Sequence, residues 1–440
     1  MTVKGFSVWV GALALAVLAG CGERELILEG ERLDPRTGEP VAAEAAEPIE
    51  ARAFGPGPAL ANSDWTHVNG GADHSLAHVA LAPSLRPLWR TDIGTGETRG
   101  HRITAQPVVS GGRVYAMDSQ SRVTALNAAN GRVVWTADLT PFGDNGGDAS
   151  GGGLAIAGGR LFVTSGFGTL TAFDAATGAE LWVQDLDAAA TGAPAVADGT
   201  VYVVTRNALG WAIDAANGRI LWQVLGSGAD SGLAGGPAPT IAGRLVVFPF
   251  ASGQMVAAAA ATGDTAWAGT VPGERLGRAF SRIQDLSGAP VFDGARVYAA
   301  SHSGRMAAFD GATGQRAWAL DEGGIGPLWR AGDSVFGITD ENKLIRVLAD
   351  SGEIVWTRDL PLWVRERQSR RKSAFAHYGP VLAGGRLIVA SDDEQLRSFD
   401  PVSGAELSAM PLPSGAAVGP VVAGGVLYLV TEDGTLHAFR

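Results

Sequence analysis

Short, largely apolar runs recur along most of this chain. Gly, Asn, Asp or Pro separates them every few residues. Arg113-Val-Tyr-Ala-Met117 and Val123-Thr-Ala-Leu126 are typical. Runs of about 4–6 residues rich in Val, Leu and aromatics, bounded by turn formers, predict β-strands. The pattern itself recurs with a period of roughly 45 residues. Its clearest copies run from Pro107 to Trp135 and from Leu154 to Trp182. Each copy contains four short strands, the content of one β-propeller blade.

Between the third and fourth strands stands a five-residue turn: Asn127 to Gly131, Asp174 to Gly178, Asp214 to Gly218, Asp310 to Gly314 and Asp400 to Gly404. The leading carboxylate or amide can accept N–H groups within the turn, and Gly supplies a positive φ. Ala259 and Leu348 replace the Asp in two copies, whereas Gly263 and Gly352 persist, so backbone geometry is the stricter demand. The fourth strand carries Trp89, Trp135, Trp182, Trp222, Trp267, Trp318 and Trp356, with Ser408 at that place in the last copy. These indoles are expected to fill the wedges between neighbouring blades.

First strands open near Pro107, Leu154, Pro194, Pro239, Pro290, Pro327, Pro380 and Pro420. The sequence finishes on a third strand, Thr435 to Arg440, and the first propeller-like segment, Leu85 to Ile93, is a lone fourth strand. The two are expected to pair. The prediction is an all-β, eight-bladed propeller of four-stranded antiparallel blades, its last blade closed by the strand around Trp89.

The 440 residues carry a net charge of −11, which argues against nucleic acid as a partner. Lys4 precedes an apolar run from Phe6 to Ala19, too short to span a bilayer. It ends in Leu18-Ala-Gly-Cys21, a lipobox-like sequence holding the single cysteine of the chain. Residues 1–20 are therefore expected to be a lipoprotein signal peptide and Cys21 the lipidated residue, anchoring the protein to a membrane. Gly22, where an Asp would favour inner-membrane retention, points to the periplasmic face of the outer membrane. Residues 21–60, rich in acidic residues, Ala and Pro, are expected to be a flexible tether, and 61–440 the propeller.

Catalytic signatures are few. There is no Gly-x-Ser-x-Gly elbow and no phosphate-binding Gly-x4-Gly-Lys loop, and a single cysteine excludes cysteine-based zinc sites. His74 and His78 have helical metal-ligand spacing, but Asn69-Gly-Gly71 beside them predicts loop or extended chain, so a satisfied or solvated role is preferred. The repeated turn aspartates are expected to cap turns and not to bind calcium. Two connections depart from the repeat. Trp363 to Lys372 holds five cations in an acidic molecule, a solvated loop or a contact for an acidic patch or anionic headgroups. Val271 to Pro290 is long and carries Arg275, Arg278, Arg282 and Asp285, as recognition loops on rigid scaffolds do.

The repeat Val-Tyr … Leu-x-Ala-Leu/Phe-Asp-x-x-Thr-Gly-x-x-x-Trp resembles that of the pyrroloquinoline-quinone propeller family, over about residues 61–440. With the lipobox, tether and blade number, the chain is similar to the BamB lipoproteins of outer-membrane β-barrel assembly. That resemblance implies a non-enzymatic ring without a cofactor. It would dock on the periplasmic domains of a BamA-like partner and help deliver unfolded outer-membrane protein precursors. The family's contact loop, Arg-x-x-Asp-x-Asp-x-x-Pro, corresponds to Arg282 through Pro290, with Arg282, Asp285 and Pro290 matching and Ser287 replacing the second Asp. A neighbouring Leu-x-Leu-Arg pattern falls on Ser231 to Ala234, where only Leu233 matches. Leu233, Arg282 and Asp285 are thus implied partner contacts, and an internal ion pair or turn role for Arg282 and Asp285 stays open. Two other classes also stay open: a quinoprotein dehydrogenase, which would use an adjacent cysteine pair, an acidic base and calcium, and a periplasmic binding ring unrelated to barrel assembly. The hub is expected to be sealed by packing.

Overall fold

The computed structural model describes residues 52–229, 235–273, 283–286, 288–365 and 367–440. Within them, thirty-two strands form eight four-stranded antiparallel sheets. Seven sheets take their strands in chain order. The eighth joins both parts of the chain: Pro87–Asp92 pairs with Thr435–Phe439, which continues into Val426–Thr431 and Val421–Ala423. Arg90 faces His437 and Thr91 faces Leu436. The closure expected from the repeat count is the one observed. Blades are numbered 1 to 8 from Val108–Ser110 onward, blade 8 being the shared one.

Strand lengths follow from position in the wedge. First strands are mostly three residues, as at Val108–Ser110 and Ala195–Ala197, because eight of them converge on one axis. Gly192 and Gly288 sit where a Cβ would lie 2.6 Å from Pro237 O and 2.2 Å from Pro327 N, so the neighbouring blade leaves no room for a side chain. Second and third strands are buried on both faces; fourth strands alternate exposed and half-buried, as in Val133–Asp138.

The seams between blades repeat one contact. The fourth-strand indole of each blade lies on the turn glycine of the next. A Cβ on Gly178 would come within 2.6 Å of Trp135, and one on Gly314 within 2.6 Å of Trp267. The indole Nε1–H then donates to the carbonyl of the second turn residue: Trp89 to Ala128 (3.0 Å), Trp135 to Ala175 (3.1 Å), Trp182 to Ala215 (3.2 Å), Trp267 to Gly311 (3.0 Å), Trp318 to Ala349 (2.8 Å) and Trp356 to Pro401 (3.2 Å). Trp222 lies on Gly263, but its Nε1 has no partner among the described residues; the Tyr202 hydroxyl donates to the Ala260 carbonyl instead, at 3.3 Å. Ser408 is the informative exception. The blade after it is blade 8, whose third and fourth strands come from opposite parts of the chain, so it has no five-residue turn to receive an indole. Ser408 instead hydrogen-bonds Ser398 in its own blade (2.7 Å).

The turn aspartates behave as caps. Asp174 Oδ1 accepts the N–H groups of Ala176 and Thr177 and the Thr177 hydroxyl, at 2.8–3.0 Å, and Asp310 does the same with Ala312 and Thr313. These bonds hold both carboxyls below the ordinary aspartate range, the threonine hydroxyl being the largest cause.

Residues 60–80 form a strap that circles the axis and touches the blades in ring order. Asn62 O accepts Gly424 N–H of blade 8 (2.7 Å), and Trp65 exchanges two main-chain bonds with Val109 of blade 1 (2.8 Å each). Thr66 O takes Ile156 N–H of blade 2 (3.0 Å), and His67 Nε2 takes Val196 N–H of blade 3 (3.0 Å). Ala72 O and Asp73 O take Ile241 and Phe292 N–H of blades 4 and 5, each at 2.9 Å. Ala77 O accepts the Trp329 indole of blade 6 (3.0 Å), and Val79 exchanges bonds with Leu382 and Gly384 of blade 7. The strap then meets its own start: Leu60 N–H donates to His78 O and Ala80 N–H to Leu60 O. First-strand edges that would otherwise be unpaired at the axis are thereby satisfied. His74 and His78 lie in this strap, both buried and hydrogen-bonded to the ring, through Pro290 O and Gly385 N–H. Residues 52–60, assigned from sequence to the tether, already touch the ring: Arg52 O and Ala53 O accept the buried Arg346 guanidinium, and the Phe54 ring packs 5.0 Å from its Cζ.

Two outcomes follow. Gly314→Ala adds a methyl group that must displace Trp267, whereas Gly158→Ala, also at positive φ, meets nothing within 4 Å. The first is expected to lower stability by about 2–4 kcal/mol and the second by about 1 kcal/mol, read as shifts in urea midpoint; equal shifts would show that the indole contact contributes nothing. Second, burial lowers the pKa of His67 to about 3, with the charge of His74 adding to it, and burial lowers His74 to about 4. Both are neutral in the fold and titrate normally when unfolded, so their contribution is complete above pH ~6.5 and declines as pH falls toward their folded values, by about 2 kcal/mol each at pH 5. The urea midpoint should drop between pH 7 and pH 5, and less steeply in His67→Gln; an unchanged slope would contradict a buried neutral His67.

Candidate functional site

Turns between first and second strands lie at the strap end of the ring, where Gly384 and Gly424 meet it. Turns between second and third strands share the opposite end with the blade-to-blade connections, as Arg206 N–H to Ala189 O and Asp392 N–H to Ala376 O show. At this connection end the axis widens into a cavity of ≈430 Å³. Val68 and Asn69 of the strap border it, and its walls include Gly235–Ala238, Gly288–Ala289, Ile325–Pro327 and Ala417–Gly419. The expectation of a packed, sealed hub therefore holds at the strap end alone. Small residues that let first strands converge leave no bulk to fill the space beyond them.

One wall of the cavity is charged. Glu97, Arg102, Tyr378, Asp392 and Glu432 meet where blades 7, 8 and 1 adjoin. Arg102 Nη1 pairs with Glu97 Oε2, and Glu97 Oε1 accepts Ile103 N–H (3.1 Å). Asp392 accepts Ala376 N–H (2.9 Å). Burial pushes the Asp392 carboxyl up to about 6, and the charges of Asp393 and Glu97 add to that while Arg102 offsets it. Glu432 is raised by burial first and by Glu97 and Asp392 next. Burial and the same carboxylates raise the Tyr378 phenol above its ordinary range. Three carboxylates thus face one guanidinium, itself already paired.

Of the residues singled out from sequence, Cys21, Leu233 and Arg282 lie outside the described residues. Asp285 is buried, 4% exposed, with its Oδ2 3.9 Å from Arg206 Nη1 and its carbonyl accepting His302 N–H (3.0 Å). It links the connection leading into blade 5 to a turn of blade 3. Arg206, one-third exposed, escaped the sequence reading because Thr205-Arg-Asn207 is an ordinary strand turn with no motif. The basic connection forms a short hairpin: Val364 N–H donates to Ser373 O (3.1 Å) and Phe375 N–H to Leu362 O (2.9 Å). Arg371 lies 5.8 Å from the Trp363 ring centre, and Arg365, Arg367, Arg370 and Lys372 are exposed. His377, at the base, is held between Pro361 O (2.7 Å) and Ser391 Oγ (2.6 Å).

Eight four-stranded blades, a shared closing blade and indole-on-glycine seams define a β-propeller of the pyrroloquinoline-quinone repeat class. Residues 31–146, 119–358 and 361–440 match the family described as outer membrane protein assembly factor BamB, and the chain belongs to that family. A relative from Alkalilimnicola ehrlichii, named outer membrane protein assembly factor BamB, is 37% identical over 329 residues, covering 75% of this chain and 81% of the relative. Among solved structures, BamB from Moraxella catarrhalis superimposes with a TM-score of 0.67 at 20% identity, covering 81% of this chain and 100% of that one. Quinohemoprotein alcohol dehydrogenase from Comamonas testosteroni reaches 0.65 at 16% identity, covering 87% and 81%. At those identities the two structures speak to the fold alone.

The second likeness raises the question of a quinone cofactor at the axis. The residues present do not fit one. Pyrroloquinoline quinone is a tricarboxylate, and the cavity wall opposes it with Glu97, Asp392 and Glu432 against a single paired arginine. An adjacent cysteine pair is impossible with one cysteine in the chain. Among the described residues, no group of three or more His, Cys, Asp and Glu side chains could hold a metal ion.

Proposed function

We propose that the protein is a non-enzymatic scaffold of outer-membrane β-barrel assembly, anchored through lipidated Cys21 at the periplasmic face of the outer membrane. It docks on a BamA-like partner through the segments bearing Leu233, Arg282 and Asp285, and assists delivery of unfolded outer-membrane protein precursors. The observation that carries this reading is family membership, with a relative 37% identical that bears the assembly-factor name. The geometry supports a docking role for the loop ends. A buried Asp285 holds Arg206 from a neighbouring blade, so the partner would meet a guanidinium fixed by the ring and not a free carboxylate. Fourth strands offer open main-chain edges and exposed apolar side chains such as Val133, Leu181, Val183 and Leu407, suited to transient holding of an extended strand.

Pull-down of the lipidated chain from mild-detergent membranes tests docking. Arg206→Glu and Asp285→Arg are each expected to reduce recovery of the BamA-like partner by about tenfold or more. Arg206 is the safer variant because its side chain is partly exposed and its reversal need not disturb folding, which circular dichroism would verify. Full recovery with a folded Arg206→Glu protein would remove this surface from the account.

A further inference from the structure

We propose that the basic hairpin between blades 6 and 7 is a second membrane contact, which binds the phosphate headgroups of anionic phospholipids and turns the blade 6–7 edge of the ring toward the bilayer. The inference rests on the anchoring of Cys21 and not on docking to a BamA-like partner. Its first ground is charge. Trp363 to Lys372 carries five cations against Glu366 alone, in a chain of net charge −11. Arg365, Arg367, Arg370, Arg371 and Lys372 are all exposed.

The second ground is shape. Trp363 and Ala374 form an antiparallel bridge, flanked by the main-chain bonds from Val364 N–H to Ser373 O and from Phe375 N–H to Leu362 O. The pairing gathers all five cations at the closed end of the hairpin. Val364 beside them is 48% exposed, and the half-buried Trp363 ring packs against Arg371, whose Cζ lies 5.8 Å from the ring centre. An indole and an aliphatic side chain ringed by cations suit a bilayer surface, where apolar groups enter the headgroup boundary and cations meet phosphates. An ionic contact with an acidic protein surface has no need of the apolar pair.

The third ground is position, and it does not involve the hairpin. The chain enters the ring in the same sector. Arg52 O and Ala53 O accept the guanidinium of Arg346, on Lys343–Leu348 of blade 6, and that guanidinium also reaches Val402 O of blade 7 (3.4 Å). The fourth strand of blade 6, Ile354–Asp359, leads from that end of the ring to the hairpin, about 20 Å for six residues. Thirty residues separate Cys21 from Arg52, at most about 100 Å of extended chain. A tether joined to one edge of the ring favours that edge as the one nearest the bilayer. It also raises the concentration of headgroups around the hairpin, so a contact weak by itself suffices.

Cys21 is the single cysteine, so in the acylated chain Val364→Cys adds the one free thiol and takes one environment-sensitive fluorophore. The full lipidated chain is incorporated through its own anchor into phosphatidylcholine vesicles with or without phosphatidylglycerol. A spin-labelled lipid quenches fluorophores at headgroup depth. Quenching at Val364→Cys is expected to rise about twofold or more with phosphatidylglycerol and to fall between about 0.1 M and 0.5 M salt. Replacing the five cations by Gln should abolish the rise. Replacing the four arginines by Lys should keep it, because attraction to a charged surface needs the charge and not the guanidinium fork. Leu181→Cys, exposed on blade 2 across the ring, serves as the control label and should show no rise. Quenching indifferent to phosphatidylglycerol, an equal rise at Leu181→Cys, or a rise that survives the Gln replacements would each overturn the proposal. A Val364→Cys label that answers to added polyglutamate and not to phosphatidylglycerol would assign the hairpin to a protein surface and overturn it too. Two fluorophores per chain would show that Cys21 is not acylated and would remove the anchored reading itself, whereas one fluorophore without a lipid response removes the hairpin contact alone.

Discussion

Eight short strands converging on one axis leave eight inner edges whose main-chain groups point at nothing of their own sheet. How this chain satisfies those edges shapes the rest of the molecule. Residues 60–80 run around the axis and offer each blade a partner, most often a bare carbonyl such as Thr66 O, Ala72 O or Asp73 O. The strap therefore closes one end of the ring and forms a floor. Everything distinctive about the hub lies on the other side of that floor: the cavity, its carboxylate wall and the irregular connections.

The outer part of the ring obeys a second rule with the same economy. One indole and one glycine recur from seam to seam, with the carbonyl bond at every such seam but that of Trp222, and the indole itself is lost only where its receptor is missing. Ser408 precedes the blade assembled from both parts of the chain, which has no turn to dock on. Loss of the tryptophan there is a consequence of ring closure. The seam and the closing strand are thus one design: Trp89, on the strand that completes blade 8, starts the series by docking on Ala128 of blade 1.

The blades, their number and their closure were legible because each rests on a local signal repeated many times, short apolar runs ending in an Asp/Asn-to-Gly turn and a Trp. The strap was not legible. Its contacts are mostly main-chain carbonyls, which any residue supplies, so Thr66, Ala72 and Asp73 carry no mark of their role. His74 and His78, read as satisfied or solvated residues of a loop or extended stretch, are satisfied, and what the sequence did not show is that the stretch is a buried strap. Turn glycines were read for positive φ, while their contact with the preceding blade's indole has no sequence period to betray it. The cavity was missed for a related reason: Glu97, Asp392 and Glu432 are far apart in sequence and meet only through ring closure. The Arg206 to Asp285 pair joins two blades in the same manner.

A rigid ring with one end floored and the other open divides labour between its faces, and the strap makes that division. Hydrogen exchange resolved to single amides tests this most directly. Trp65 and Val79 of the strap, and Ile156, Val196, Ile241 and Phe292 that donate to it, should exchange only through global unfolding, with the same protection as core amides such as Val163 and Val347. Exchange of this set through a separate, low-energy opening, while the blades stay protected, would show that the strap is an accessory laid on a finished ring and would contradict the account.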